Sequence, residues 1–520
     1  MVTKPGIENA QKHNLLEMTE LPKDIIWSGS ADLFEIEFIG KKDNEMKKNC
    51  SKVILVSLVF CFVCFTSSWA TALHQYTITH LTLGGTWSTA LAINELGQVV
   101  GTSQISGDAS YHGFIYSTGT ITDIGSISPY DINNLGQVVG YYNTVIDGYS
   151  TVRSFIYRNG TLKDLGTISS DRKAQSWANG INDFGQVVGS ANMGYEGMNF
   201  HAYLYNGKAM KNIDPDEQSE ALAINNYGMV IGSEKDGRIF LYSESERVIE
   251  WLDIFGSALD INDQGEFVGR GSWSPGSEGA FLYREGKIIA LGDLSDSGYT
   301  VPLAINESSQ IVGQSDMGYV DMWGHRIDHA FLYDNGMMTD LNTLIPANSG
   351  WELMYATDIN NRGQIVGYGV RDGKFQLVCY DEDGYGYLPC YKLPVYSAFL
   401  LTPIPEVTID IKPGGDPNSI NPRNMGKIPV AILSKKDFDA PSQVDQNSLT
   451  FGSTGNEKSL AFCNQSSKDV NGDGFKDVVC HFNTQSTGFQ CFDTVGILRG
   501  KTVNGTPIEA SDSVKIVRCK

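Results

Sequence analysis

The sequence is short of the residues that mark several large protein classes. Charged residues make up only 19% of the 520, too few for a coiled coil or a long helical rod. Lys and Arg number 39 against 60 Asp and Glu, and the net charge of −21 repels phosphate backbones, so no nucleic acid partner is expected. Beyond residue 72, no apolar run reaches the roughly 20 residues that a membrane-spanning helix needs.

Signatures of catalysis are also missing. The sequence has no Gly-x-Ser-x-Gly elbow, no Gly-rich phosphate loop with Lys and, beyond residue 72, no Cys-x-x-Cys pair of a zinc ribbon or redox motif. His325 and His329 are four residues apart, but on a strand such residues lie about 13 Å from each other, so we do not expect a metal site there. These absences favour a binding protein over an enzyme.

What the sequence does contain begins with an export signal. Residues 46–72 combine a basic start, the apolar run 53–65 and the cleavage signal Ala70-Thr71-Ala72, which together predict a secretory signal peptide. An uncleaved anchor is the alternative, although the apolar run is short for one. Residues 1–45 are interpreted as a start-site artefact ahead of Met46, with a cytoplasmic extension as the alternative. We therefore expect a secreted or cell-surface protein.

The cysteines agree with export. Six lie beyond the signal, and an even number in an exported chain suggests disulfide bonds. Fifteen connectivities are possible for six cysteines, and we predict near-neighbour pairing. The predicted pairs are Cys379–Cys390, Cys463–Cys480 and Cys491–Cys519.

An internal repeat dominates residues 73–403. A short apolar strand ending in Ile-Asn leads into a turn and a β-branched strand, as in NGINDFGQVVG (179–189), and an aromatic strand such as HAYLY (201–205) and a fourth strand follow. The marker asparagines are 37 to 54 residues apart, about 44 on average. They are Asn94, Asn133, Asn182, Asn225, Asn262, Asn306 and Asn360.

The turn of each repeat has a clear chemical logic. Asn stands first and Gly fourth, which suits a type I turn followed by a left-handed residue that forms a bulge. The asparagines are therefore interpreted as structural. The sixth repeat has Ser309 in place of Gly, which predicts a strained or altered turn.

Seven units of four short strands predict an all-β fold, a seven-bladed β-propeller. A linear β-solenoid is the rival, although its coils are usually shorter and its strands parallel. TITHLTLGG (77–85) reads as a fourth strand and SAFLLTP (397–403) as an added aromatic strand, so the last blade should combine both ends of the repeat region. Asp131, Asp260 and Asp358 recur before Ile-Asn, which favours packing or capping over catalysis.

The aromatic strand carries a resemblance to a known family. His329-Ala330-Phe331 matches the HAF repeat of exported bacterial proteins, and His201-Ala202 and His112 match in part, whereas Arg153, Arg238 and Gly279 depart. The resemblance covers about 73–403 and implies a secreted bacterial protein, with no catalytic residues to carry over.

A second module follows from residue 404 to 520. Alternating strands with Pro and Gly turns predict a small β-sandwich, and the IDIKPG and NPRNMGKIPVAIL segments (409–433) resemble a module appended to bacterial surface and secreted proteins. Within it, oxygen ligands at 1, 3, 5, 7 and 9 of a loop predict a structural calcium site, with a solvated acidic turn as the alternative. The ligands are Asp469, Asn471, Asp473, the carbonyl of Phe475 and Asp477. Position 12 is Cys480, so this is not a full EF-hand.

The most variable loops suggest a binding face. They lie between strands two and three and between successive repeats, and they carry Tyr195, Trp273, Tyr319, Trp323 and Trp351, which can stack on a sugar or a partner side chain or pack between blades. We expect a monomer that binds an extracellular glycan or protein. The alternative is a secreted propeller enzyme, a glycan hydrolase or lyase with carboxylates on the same face.

Overall fold

The computed structural model describes residues 76–518, except 108–109, 195–198, 215–217, 297, 321–325, 380–389 and 437. The side chains of 375–379 and 390–393 are likewise not described. The predicted signal peptide at 46–72 and the 1–45 segment lie outside this range.

Residues 76–403 fold into strands joined by turns. The one helical turn in the described part of this region is a 3-10 segment, Leu341–Leu344. The strands are β1 (Tyr76–Leu81), β2 (Gly84–Ile93), β3 (Val99–Ile105), β4 (Tyr111–Ser117), β5 (Thr120–Asp123), β6 (Ser128–Ile132), β7 (Val138–Ile146), β8 (Tyr149–Arg158), β9 (Thr161–Asp164), β10 (Ser176–Ile181), β11 (Val187–Asn192), β12 (Phe200–Tyr205), β13 (Met210–Asn212), β14 (Ser219–Ile224), β15 (Met229–Glu234), β16 (Arg238–Ser243), β17 (Val248–Ile261), β18 (Phe267–Ser274), β19 (Ser277–Arg284), β20 (Lys287–Ala290), β21 (Thr300–Ile305), β22 (Ile311–Val320), β23 (Arg326–Asp334), β24 (Met337–Asp340), β25 (Trp351–Ile359), β26 (Ile365–Cys379) and β27 (Cys390–Pro403).

Each of the first six sequence repeats corresponds to four antiparallel strands in consecutive order, as predicted. Separate four-stranded sheets are formed by β2–β5, β6–β9, β10–β13 and β21–β24. Repeats four and five share one seven-stranded sheet, β14–β20, because the long strand β17 ends the fourth repeat and begins the fifth.

The last sheet combines the two ends of the repeat region. Its order is β1-β27-β26-β25, and β1 pairs antiparallel with β27 from Tyr76 opposite Pro403 to Leu81 opposite Ala398. The prediction that an amino-end strand completes the last repeat is therefore confirmed.

The cores of the repeat region lie between neighbouring repeats. Seven apolar clusters each combine residues of two successive repeats, and one of them joins Val366 and Leu400 of the seventh repeat to Ala90 and Phe114 of the first. The third strand of every repeat contributes a fully buried aromatic ring at the position of Phe in His-Ala-Phe. These rings belong to Phe114, Phe155, Tyr203, Phe240, Phe281, Phe331 and Phe399. Burying such a side chain contributes roughly 1.5–3 kcal/mol, so each repeat depends on its neighbours for stability.

The glycine that ends the Gln-Val-Val-Gly motif permits the close pairing of the first two strands. A Cβ added at Gly189 would lie 2.0 Å from the carbonyl oxygen of Trp177 on β10. No side chain fits at that distance, which explains why the motif ends in Gly in all seven repeats.

The C-terminal region forms two antiparallel sheets around a single core. The elements are β28 (Thr408–Ile411), β29 (Ser419–Ile420), β30 (Lys427–Leu433), α1 (Ala440–Gln443), β31 (Val444–Gly452), β32 (Leu460–Cys463), β33 (Val478–Asn483), a 3-10 turn (Thr484–Ser486), β34 (Val495–Thr502), β35 (Pro507–Ser513) and β36 (Lys515–Ile516). The two sheets have the orders β28-β30-β33-β32 and β31-β34-β35, and they share one apolar cluster, which includes Val430, Phe451, Phe482 and Leu498. The parallel pair β29-β36 and the two short helical segments complete the region.

Among the described residues, no helix has the length and apolar character needed to cross a membrane.

Candidate functional site

The Asn-Gly turn between the first and second strands has the predicted geometry in every repeat. In the third repeat, the Gly185 N–H donates to the carbonyl of Asn182 over 3.0 Å, and Gly185 has φ +74°. The Asn182 side-chain oxygen accepts the N–H groups of Phe184 and Gln186 at 3.1 and 3.0 Å. Asn182 is only 3% exposed, so its amide is a buried structural group.

The same asparagines link each repeat to the next. Each Nδ2 donates to the main-chain carbonyl of the next marker asparagine over 2.9 to 3.2 Å, and Asn360 donates back to Asn94. The seven bonds therefore form a closed cycle, which we call the asparagine ring. The sequence identified its members but gave no sign that they bond to one another.

A second cycle runs through the residue after each marker asparagine. In each repeat a side-chain oxygen at this position accepts the main-chain N–H of the equivalent residue in the preceding repeat, at 2.7 to 3.1 Å. The members are Glu95, Asn134, Asp183, Asn226, Asp263, Glu307 and Asn361. All seven are acids or amides, a regularity visible when the repeats are aligned, and sequence reasoning missed it.

Ser309 tests the rule that the fourth turn position needs glycine. Its φ is +57°, and its N–H still donates to the Asn306 carbonyl over 3.0 Å. The turn is therefore unaltered in shape, and the serine adopts a left-handed conformation that disfavours side chains. A hydrogen bond of 2.7 Å from its hydroxyl to Glu266 of the preceding repeat offsets part of that strain.

Three aspartates on the first strands also connect repeats. Asp131, Asp260 and Asp358 each accept the N–H of the next residue and that of the equivalent Ile in a neighbouring repeat, all at 2.7–2.8 Å. Burial raises the pKa of Asp131 to about 6 and of Asp260 to about 7. Burial and the charge of Asp260 raise the pKa of Asp358 well above its usual range. The predicted capping role is confirmed.

The histidine of the His-Ala-Phe motif anchors the third strand to the end of the fourth. His329 Nδ1 lies 2.7 Å from Asp340, and His112 makes the same contact with Asp123 at 2.8 Å. Burial opposes the charged form of His329, but the hydrogen bond and charge of Asp340 raise its pKa overall. His329 is thus a strand-pairing residue, as the repeat register predicted.

The predicted loop-face aromatics divide into three groups. Tyr195 and Trp323 lie outside the described residues. Trp273 packs edge-on against the buried Phe281, and Trp351 packs against Phe399 and His80. Tyr319 is exposed, at 52%. Of the described three, Tyr319 is the most exposed, whereas the two tryptophans are half-buried within the repeats.

Sequence reasoning missed a group of aromatic and charged side chains in the sixth and seventh repeats. Tyr355 stacks on Tyr368 with ring centres 4.6 Å apart, and Tyr396 meets Tyr368 edge-on at 5.1 Å. Burial raises the pKa of Tyr355, and the neighbouring tyrosines and Asp328 add to the effect. Asp328 therefore lies close to this tyrosine cluster.

Asp328 is held by a bidentate ion pair. The Arg326 guanidinium donates to its two oxygens over 2.8 and 3.1 Å and also lies 3.5 Å from the centre of the Tyr299 ring. Asp328 is 4% exposed, whereas Arg326 is exposed. The cluster therefore offers aromatic faces, hydroxyls and an oriented guanidinium, the groups that bind sugars and polar side chains. No sequence motif marks it, because its members come from five strands or loops.

The predicted calcium loop joins two strands, as expected, with β33 beginning directly after it. Asp469 accepts the N–H groups of Gly474 and Gly472, which lower its pKa. The buried Asp477 accepts those of Ser434 and Val470, each at 2.8 Å. No group of three acidic, His or Cys side chains among the described residues has the spacing of a metal site.

The donor chemistry of the loop nevertheless suits a hard cation. Asp473 and Asn471 lie side by side, 2.8 Å apart through Oδ2 and Nδ2, and both are exposed. The side chains of Asp469, Asn471 and Asp473 are exposed and accept main-chain N–H groups of the loop, while the buried Asp477 holds the loop to the sheet. Calcium binding stays a prediction.

The disulfide predictions have separate outcomes. Cys463 and Cys480 are bonded, which confirms the pair across β32 and β33. Cys379 and Cys390 face each other in the β26–β27 register, but their side chains lie outside the described set. Cys491 is exposed and Cys519 lies outside the described residues, so that pair stays a prediction.

Comparisons with known proteins give a partial match. A family model described as Protein of unknown function (DUF3466) matches residues 212–371. No curated protein matches the chain. Among solved structures, an acylaminoacyl peptidase of Pyrococcus horikoshii is 12% identical with a TM-score of 0.34, over 55% of this chain and 51% of that one. The extracellular domain of a hybrid two component system from B. thetaiotaomicron is 9% identical with a TM-score of 0.34, over 85% and 57%.

The chain thus spans little more than half the length of each of these structures. Residues 212–371, from the end of the third repeat into the seventh, are the part that is similar to a defined family.

Proposed function

We propose that this chain is an exported seven-bladed β-propeller of the HAF-repeat type that binds an extracellular glycan or protein, with a calcium-stabilised C-terminal β-sandwich module. The closed asparagine ring supports the propeller, because seven equivalent bonds that return to their start require a circular arrangement of repeats. The apolar cluster between the seventh and first repeats supports the same closure. The Cys463–Cys480 bond supports an oxidising, extracellular location.

The observation that carries the binding function is the cluster of Tyr355, Tyr368 and Tyr396 beside the Arg326–Asp328 pair. In an antiparallel unit the loops between strands two and three and between repeats lie at one edge, and this edge forms the loop face. Tyr319 and Arg326 flank the loop between the second and third strands of the sixth repeat. Exposed aromatic and Arg side chains are the residues that most often carry binding energy.

Glycan and protein arrays probed with the purified protein test this function, with and without calcium. Tyr319→Ser and Arg326→Ala should each weaken binding of any captured ligand at least tenfold. The control is Tyr149→Ser, which removes a Tyr of similar exposure (40% against 52% for Tyr319) from the second repeat, outside both the cluster and the Asn-Gly turns. Turnover of a captured glycan, or equal losses in all three variants, would contradict a binding function at this cluster.

Calorimetric titration with calcium tests the C-terminal site. We expect an affinity on the order of 0.1–1 mM, as in extracellular modules. Asp473→Asn should weaken it, whereas Glu509→Gln, at an exposed acid outside the loop, should not. If the titration of the parent protein with calcium shows no heat of binding, the site is refuted.

A further inference from the structure

The edge of the repeats opposite the loop face carries a second surface, formed by the seven Asn-Gly turns. We call it the turn face. The asparagine ring and the second cycle hold each turn to the next, so side chains at the same turn position are neighbours in the order of the repeats. Within its own turn, the third position uses its main-chain N–H, which donates to the asparagine side chain, and in the fifth repeat the Gln264 side chain also donates to the Glu307 carbonyl of the next turn. Its side chain therefore has no role within the turn.

Four consecutive repeats place an apolar side chain at this third position, and each is exposed. The exposed fractions are 63% for Leu96, 52% for Leu135, 77% for Phe184 and 74% for Tyr227. The remaining three repeats carry Gln264, Ser308 and Arg362 there. Side chains this apolar are costly to leave in water, and four in successive repeats form an arc rather than scattered exceptions.

Beside the arc the turn face is acidic. The second turn position carries Glu95, Asp183, Asp263 and Glu307, and Arg362 is the single basic side chain at the second and third positions. Burial and the charges of Asp263 and Glu95 raise the pKa of Glu307, so these carboxylates affect one another across three repeats. None of the four makes an ion pair with a Lys or Arg among the described residues.

The negative charge of the turn face and its apolar arc together indicate which kind of partner can bind there. A second copy of this chain would bring the same carboxylates against themselves, and an anionic polymer or lipid surface would be repelled. A small cation would leave the apolar arc uncovered. We infer that the turn face docks a cationic polypeptide segment of a partner protein, with apolar side chains on the Leu96–Tyr227 arc and Lys or Arg against the carboxylates.

Synthetic peptides test this inference on the purified full-length protein. Fluorescence anisotropy should detect binding of an octapeptide of alternating Lys and Phe, and not of its Glu–Phe or Lys–Ser counterparts. The affinity should fall as salt rises, because the carboxylates are partly exposed. Failure of the Lys–Phe peptide to bind, or equal binding of the Glu–Phe peptide, would overturn the inference.

Matched variants assign the binding to this face. The Phe184→Ser, Tyr227→Ser double variant should lose at least tenfold in affinity, since serine keeps the main-chain N–H that closes the turn. The Asp263→Asn, Glu307→Gln double variant keeps an oxygen for each main-chain N–H of the second cycle and removes two charges together with the bond from Asn226 Nδ2 to Asp263, and it should lose a similar factor. Val145→Ser removes an equally exposed apolar side chain at the loop edge, at 67%, and should bind like the parent.

The results of these peptide experiments do not depend on whether the loop face binds a ligand. Unchanged peptide affinity in both double variants would overturn the turn-face inference and leave the loop-face proposal standing. Circular dichroism of each variant at the binding temperature confirms that a loss of affinity is not a loss of fold.

Discussion

The repeat region (76–403) and the C-terminal region (407–518) are both built of short antiparallel strands, but they are stabilised in different ways. In the repeat region every apolar cluster lies between two repeats, and the buried asparagine amides bond from one repeat to the next. In the C-terminal region one cluster lies between two sheets, and a disulfide bond joins adjacent strands. A repeat therefore owes its stability to its neighbours, whereas the C-terminal region is stabilised locally.

The largest expected effect comes from the strand-two glycine. Gly189→Ala should lower the free energy of unfolding by about 3 kcal/mol, because the new methyl group overlaps the Trp177 carbonyl and the strands must separate. Guanidinium denaturation followed by fluorescence measures it. Gly180→Ala, in the same repeat, meets nothing closer than 3.4 Å and should cost little. Equal losses in the two variants would contradict the steric argument.

Loss of the disulfide bond should affect only the C-terminal region. The Cys463→Ala, Cys480→Ala double variant should destabilise residues 407–518 by about 2–3 kcal/mol, because the bonded residues are 17 positions apart. Hydrogen exchange read by mass spectrometry should show faster exchange in C-terminal peptides only. Faster exchange in the repeats as well would mean that the two regions unfold together.

Asn182→Ala should cost about 2 kcal/mol, since it leaves buried N–H and C=O groups of three residues without their partners. The loss should spread, with faster hydrogen exchange in the second and fourth repeats as well as the third. Asn206→Ala removes a comparable but exposed turn side chain, whose bonds stay within one hairpin, and should cost about 0.5 kcal/mol. A loss confined to the third repeat would show that the repeats are less coupled than the ring implies.

The smallest expected effect is a change in how the free energy of unfolding depends on pH. An unfolded aspartate titrates near pH 4, whereas the pKa of Asp131 is about 6 and that of Asp260 about 7 in the folded chain. Between these values the folded chain binds more protons, so these groups make the free energy of unfolding fall as the pH rises from about 4 to 7. In Asp260→Ala that slope should be shallower, and in the exposed Asp236→Ala unchanged. An unaltered slope in Asp260→Ala would contradict the raised pKa.

The repeat register made most of the fold predictable. The Ile-Asn, Gln-Val-Val-Gly and His-Ala-Phe segments each mark one strand, and the strand at 77–85 was correctly assigned to the last sheet because it resembled a fourth strand. The long strand β17, which merges two repeats into one sheet, was not predicted, because the sequence does not show where one twisted sheet continues into the next.

Contacts between repeats were harder to predict than those within them. The Asn94–Asn133 bond joins residues 39 apart in neighbouring repeats. Local spacing reveals which face of a strand a residue occupies, but not which side chain of another repeat it meets. Trp273 and Trp351, two candidates for the binding face, are half-buried against rings of their own repeats, and their role in binding stays a prediction.

The pairing of β1 with β27 sets an order of events for a chain that is synthesised from its amino end. Tyr76 is made first, yet its partner Pro403 follows 327 residues later. Until then β1 has an unsatisfied edge, and the last sheet lacks its outer strand. A chain that stopped before residue 390 would therefore have six complete repeats beside an open seventh, with β1 left unpaired.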